Sequence, residues 1–237
     1  SFPVARDADV ALLLEGTFPY VSGGVSSWVN QIIRGFPELR FAIVFLGSRR
    51  EDYGEPKYVL PENVVHVETH YLYDFDEVFA EPAPRSGDAG VFELSQCMHD
   101  GFRTGQEAAG LDGFRRLARE LLPGGGLPKE DFLHGERAWE IVCARYREYC
   151  TDPSFVDYFW TVRIMHSPIW MLLRVAQGLI PADCYHTIST GYAGFLGAIL
   201  RRVAGKPLLL SEHGIYTKER KIDLFQSTWI ADNRGVF

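Results

Sequence analysis

Cysteine is scarce in this chain and never closely spaced: Cys97, Cys143, Cys150 and Cys184 are the four among 237 residues, and no C-x-x-C occurs. That spacing excludes a disulfide scaffold and gives neither a zinc knuckle nor a redox dithiol, so free buried thiols in a cytoplasmic protein are the expectation. Long hydrophobic runs are also missing. The best candidate, Ile169 to Ile180, is broken by Arg174 and falls short of the ~18 apolar residues of a membrane span. The start, Ser1-Phe2-Pro3, lacks both an initiator Met and a signal-peptide pattern, as a trimmed chain would. Nor is there a basic excess: Lys and Arg total 24 against 31 Asp and Glu, a formal charge of −7, which points away from nucleic acid.

The standard chemical signatures are absent too. The chain has no G-x-x-x-x-G-K-[ST], no G-x-G-x-x-G and no G-x-S-x-G. A P-loop kinase, a simple dinucleotide-binding enzyme and an α/β-hydrolase therefore lose ground, and an NAD-linked oxidoreductase survives only as a generic α/β possibility. Histidines His66 and His70 stand four apart but lack a third ligand nearby in sequence, so no metal is expected there. His99, His134, His166 and His186 read as structural.

What remains is an ordinary globular composition, 46% hydrophobic and 23% charged, long enough to bury a core without staples. Val10–Leu14 and Phe41–Leu46 are unbroken apolar runs of the kind buried on both faces of a parallel sheet, and Val64–Val67 reads as a third strand. Between the first two, Val25, Trp28, Val29, Ile32, Ile33 and Phe36 keep helical spacing up to Pro37. From about 81 to 180 the pattern is helical. Its stripes are Phe114, Leu117, Ala118, Leu121 and Leu122, then Trp139, Val142, Tyr146 and Tyr149, then a helix capped by Ser167-Pro168. Residues Glu81–Gly90 read as a Pro- and Gly-rich loop. The α/β pattern resumes with Cys184–Ile188, a helix from Tyr192 to Val203 ended by Gly205, and Leu208–Leu210 as a buried strand; Lys221–Ile230 forms a last amphipathic segment. The reading is α/β: a Rossmann-like parallel sheet with an inserted helical block.

Ligands of such sheets gather outside the carboxyl ends of the strands, which selects the loops Gly16–Gly24, Ser189–Gly191 and Ser211–Arg220. Gly23-Gly24 directly precedes a helix, where backbone N–H groups face an anion; a plain flexible turn explains the same residues. His213 follows a strand between Glu212 and Gly214, with Tyr216, Lys218 and Arg220 in the same loop. It suits hydrogen bonding to a sugar hydroxyl or a base role, against the alternative of capping a carbonyl.

The stretch Val10-Ala-Leu-Leu-Leu-Glu-Gly-Thr-Phe-Pro-Tyr-Val-Ser-Gly-Gly-Val-Ser-Ser-Trp-Val29, with Ser211-Glu-His-Gly-Ile-Tyr-Thr-Lys-Glu-Arg220, resembles the retaining GT-B glycosyltransferases of family 4, in particular their Pel exopolysaccharide branch. The resemblance implies an N-terminal, acceptor-side Rossmann-like domain over 1–237. Gly23 and Gly24 would meet the donor diphosphate and His213 the transferred sugar, with Glu212, Tyr216, Lys218, Arg220, Thr190 and Gly191 lining the sugar or acceptor side. It further implies a UDP-hexose or UDP-N-acetylhexosamine donor, no divalent metal, a growing polysaccharide acceptor and inner-membrane synthesis partners. The nucleotide-sugar domain, with its E-x7-E motif, would lie beyond residue 237, so this chain alone is expected to be inactive. A different class of function also fits: the helical block as a non-catalytic module docking a membrane-bound secretion complex.

Overall fold

The computed structural model describes residues 2–73, 86–122, 125–150 and 154–214. The chain divides into two compact units, one formed by the described residues of 1–76 and 175–216, the other by those of 77–174.

In the first unit the apolar runs become strands: β1 (Ala8–Glu15), β2 (Phe41–Gly47), β3 (Val64–Tyr71), β4 (Ala182–Thr187) and β5 (Leu208–Leu210). They form one sheet in the order β3-β2-β1-β4-β5, and every pairing is parallel. The central position of β1 and β2 explains their composition. Ala11 to Leu14 and all seven residues of β2 are buried, because both sheet faces are covered and no position can carry charge. Each fully buried Leu, Ile or Phe in this layer contributes about 1.5–3 kcal/mol. Successive residues serve opposite faces. Leu12 and Leu14 pack with Ile43, Phe45, Val29 and Ile33 of helix α1 (Gly24–Gly35). Leu13 meets α8 (Tyr192–Ala204), where a Cβ on Gly197 would come within 3.3 Å of Leu13 and 2.7 Å of Leu208. The small residues of α8 therefore do set its close approach to the sheet, and Gly205 ends it in the left-handed conformation at φ 68°.

Three readings need correction here. β5 is not buried: Leu209 and Leu210 are 55% and 50% exposed, because β5 pairs only with β4 and forms the sheet edge among the described residues. Phe36 and Val203 keep helical spacing, yet both are exposed, since each falls at the end of its helix after the last turn that meets the sheet. β3 extends past Val67 to Tyr71, with a register shift that skips Val65 opposite Phe41/Ala42.

The second unit has helices and no strand among its described residues, as the pattern predicts: α2 (Ala89–Arg103), α3 (Glu107–Glu120), α4 (Lys129–His134), α5 (Glu136–Tyr149), α6 (Phe155–His166) and the start of α7 (Ile169–Gly178). The loop expected over 81–90 ends sooner, because Asp88 accepts a hydrogen bond from Val91 N at 3.0 Å and caps α2. Its residues 81–85, like the segment 221–230, lie outside the described residues. Glycines seat α2 on α3: a Cβ on Gly101 would lie 2.7 Å from Gly110 N, and one on Gly110 would lie 2.8 Å from the Phe102 ring. Ser154 caps α6 by accepting from Asp157 N. Ser167-Pro168 forms the α6–α7 junction, and the Pro168 carbonyl accepts from Leu172 N at 3.0 Å. Of the four cysteines, all free, Cys97 is exposed and the others half-buried, so buried thiols are not what the fold uses.

Candidate functional site

The strand order reverses between β1 and β4, the switch point at which open parallel sheets bind ligands. The carboxyl ends of β1, β4 and β5 carry the first two loops selected from sequence and residues 211–214 of the third. Each residue there has a local reason for its position.

β1 ends in Glu15, directly after four buried residues. Its Oε2 accepts from Ala193 N at 3.0 Å and from Ser189 Oγ at 3.3 Å. Ala193 lies in the first turn of α8, which has no side-chain cap from its own N-cap residue, Gly191. Glu15 thus satisfies that helix end from another strand, with charge of the favourable sign. The arrangement requires glycine at 191, where a Cβ would stand 2.6 Å from Glu15 Oε2. The visible task of Gly191 is to admit this carboxylate. Beside it, Thr190 Oγ1 donates to Glu212 Oε1 at 3.0 Å, tying the end of β4 to the end of β5.

The loop after β1 turns at Gly16, φ 61°, and buries Phe18 and Tyr20 in the core, Tyr20 against Phe45 with ring centroids 4.6 Å apart. The Thr17 hydroxyl oxygen is buried with no hydrogen-bond partner among the described residues. Gly23 then caps α1 without any side-chain bond. Both Gly23 and Gly24 are exposed, and a Cβ on either would meet nothing within 4 Å. Unlike α8, then, α1 presents a first turn with no acidic side chain and no side-chain cap, in open space. This is the helix end that suits an external anion.

Trp28, one turn into α1, reaches β5. Its ring stands edge-on to His213 with centroids 4.7 Å apart, and 6.1 Å from His186. His213 and Glu212 are exposed, whereas His186 is anchored by Ser211 Oγ at 2.9 Å from its Nε2. Burial, with the His213 imidazole nearby, pushes the His186 imidazole down from its ordinary range. His186 is therefore a neutral support for the β5 end, and His213 the accessible imidazole.

Of the residues selected from sequence, Gly23, Gly24, Thr190, Gly191, Glu212 and His213 lie at the carboxyl ends of this sheet or on the helices that leave them. Tyr216, Lys218 and Arg220 lie outside the described residues. Sequence reasoning missed Glu15 and Trp28. A carboxylate closing a fully apolar strand was the available signal for the first; the second was absorbed into a buried stripe.

His66 and His70 have a different use. Both bond Glu68 through Nε2, at 2.8 and 3.0 Å, as every second residue of β3. Burial opposes ionisation of Glu68, but the bonds from His70 and His66 hold its carboxyl below the usual range. Two D-x-D triplets occur, Asp7-Ala8-Asp9 and Asp74-Phe75-Asp76. The first pins Arg40, through Asp7 Oδ1 to its Nη1 at 2.6 Å and Asp9 Oδ2 to its backbone N at 2.7 Å, at the amino end of β1. The second lies outside the described residues. No cluster of three or more His, Cys, Asp or Glu stands at metal-holding geometry among the described residues, and no described helix is long and apolar enough to cross a membrane.

A family model for a domain of unknown function, DUF3492, matches residues 8–237. The chain belongs to the DUF3492 family. No curated protein and no solved structure matches it. The match begins at β1 and takes in the sheet, the helical unit and the loop after β5, so this DUF3492 chain carries both units inside one family domain.

Proposed function

We propose that this chain is the acceptor-side half of a retaining GT-B glycosyltransferase of the PelF type, which extends the Pel exopolysaccharide from a UDP-hexose or UDP-N-acetylhexosamine. The observation that carries the reading is the meeting at one sheet end of an open, uncapped glycine helix start and an accessible histidine, joined through Trp28. Glycosyl transfer needs a leaving diphosphate stabilised and two substrates held in register. In this reading the amides after Gly23 meet the diphosphate, His213 hydrogen-bonds the transferred sugar, and Glu212 with Thr190 forms the wall on the acceptor side. Charge stabilisation by backbone amides and a second domain's basic side chains makes a divalent metal unnecessary. Removing one such positioned donor costs about 10²–10³ in turnover. His213→Ala in the full-length enzyme should therefore lower kcat for UDP-sugar transfer by about that factor with the fold intact; wild-type rates would remove His213 from the role.

A second reading rests on a different surface. Val156, Trp160 and Ile164, at i, i+4 and i+8 of α6, form an exposed apolar stripe. This supports docking of a membrane-bound partner of the synthesis machinery by the helical unit, and it is compatible with the first reading. Trp160→Asp should then abolish co-purification with the partner while leaving transfer in solution unchanged.

A further inference from the structure

The helical unit encloses a cavity of about 510 Å³ between α2, α4, α5 and α6, within the range of small-molecule sites. We propose that it binds a hydroxyl-bearing organic anion, a phosphorylated sugar or nucleoside, at a site separate from the strand-end cluster.

Charge comes first. The lining includes three arginines, Arg103, Arg145 and Arg163, and one carboxylate, Asp100, a formal +2 inside a chain of net −7. Asp100 is already shared: it accepts from Arg145 Nη2 at 2.7 Å and from Arg103 Nη2 at 3.3 Å. Arg163 meets no carboxylate among the described residues. Its guanidinium lies on the His134 ring, 2.8 Å from Nε2, and over the faces of Phe159 and Trp160 at 5.3 and 5.7 Å. Burial pushes the Arg163 pKa down, and burial with the adjacent Arg163 charge lowers that of His134. Arginine nonetheless stays cationic. A half-buried cation without a counter-ion favours an anionic guest, and a guanidinium is the group best matched to phosphate.

The second observation points to hydroxyls. His99 Nδ1 lies 2.7 Å from the Ser95 carbonyl oxygen, and His166 Nδ1 lies 2.6 Å from that of Val162. A carbonyl only accepts, so each Nδ1 carries the ring proton. The two Nε2 atoms, 3.1 Å apart, are then both acceptors with no ring proton to share, on residues that line the cavity. A guest O–H can donate its single proton to one of them, a bond that an anion without a hydroxyl cannot make. The third observation is the wall itself, in which Phe132, Trp139, Tyr158 and Phe159 offer ring faces and edges to a sugar or base. The stripe of Trp139, Val142 and Tyr149, expected to be core, faces this cavity, and so do the three histidines His99, His134 and His166 that read as structural.

The test is calorimetric titration of the full chain with adenosine monophosphate, glucose 1-phosphate, adenosine, glucose and inorganic phosphate. At least one of the two organic phosphates should bind with Kd below about 1 mM, and which one binds tells nucleoside from sugar. Its unphosphorylated parent and free phosphate should bind about tenfold weaker or worse. Arg163→Gln should cost about tenfold or more. Trp139→Ala, at a half-exposed position, should weaken binding several-fold in a protein whose unfolding midpoint confirms that it is folded. His213→Ala should leave it unchanged, which keeps this outcome independent of the proposed transfer. Absence of sub-millimolar binding by either phosphate, equal binding of the neutral parents, or unchanged affinity in Trp139→Ala would overturn the assignment.

Discussion

The Glu15 carboxylate and the missing Cβ of Gly191 are two halves of one device, and their coupling can be measured. In Gly191→Ala the new methyl carbon would lie 2.6 Å from Oε2 and 3.0 Å from Oε1 of Glu15, so the carboxylate must withdraw. Withdrawal breaks the bonds from Ala193 N and Ser189 Oγ. A hydrogen bond to a charged group contributes about 1.5–3 kcal/mol, and the helix-terminus interaction about 0.3–1 kcal/mol more. Against this stands a gain of about 0.4–1 kcal/mol from a stiffer unfolded chain. Gly191→Ala should thus destabilise by about 1–3 kcal/mol in the wild-type background. With Glu15→Ala already in place the three atoms nearest the new methyl are gone, and the same substitution should be close to neutral. Urea unfolding of the four proteins gives the interaction energy, expected at about 2 kcal/mol. Faster exchange of the Ala193 amide in both single variants would report on the same contact. Additivity within about 0.5 kcal/mol would refute the capping role.

Two further outcomes follow from packing and burial. Gly101→Ala puts a methyl 2.7 Å from Gly110 N and 2.9 Å from its Cα, backbone that cannot rotate away; the overpacking cost of about 1–3 kcal/mol should outweigh a helix-propensity gain of about 1 kcal/mol. Gly35→Ala, which meets nothing within 4 Å, should instead raise the unfolding midpoint, and equal effects of the two would discredit the close α2–α3 contact. Burial, with His99 beside it, pushes the His166 imidazole down to about 4. The unfolded chain then takes up that proton first, near 6.5, so stability is full above that pH and falls as pH drops towards 4, by up to about 3 kcal/mol. The difference in urea midpoint between pH 7.5 and 4.5 should shrink in His166→Phe; an unchanged difference would mean that His166 is not held neutral.

The parallel sheet was legible because β1 and β2 are buried on both faces, and burial of that kind leaves no polar position to confuse the pattern. β5 was misread because Leu208–Leu210 is equally apolar, and composition does not distinguish an edge from a centre. Helical spacing locates α1 and α8 but not where each leaves the sheet, so it does not mark Phe36 and Val203 as exposed. The same limit hid the cavity: Trp139, Val142 and Tyr149 share a helix face whether they meet a neighbour or a void. His99, His134 and His166 converge only through the packing of α2, α4 and α6, a relation with no local trace. At the strand ends, Gly23, Gly24 and His213 were accessible to reasoning from topology. The Glu15 carboxylate at the end of an apolar strand is also visible there, but its task is not, because its partner Ala193 lies 178 residues away.

Gly24→Val probes the proposed meeting of a donor diphosphate with the glycine helix start. The position is the first of α1, and a Cβ there meets nothing within 4 Å among the described residues, yet the added side chain occupies the approach of any ligand to the first amides. The unfolding midpoint should stay within about 2 °C of wild type, while kcat/KM for UDP-sugar transfer by the full-length protein should fall by about 10² or more. A stable Gly24→Val protein that transfers sugar at the wild-type rate would contradict that proposal.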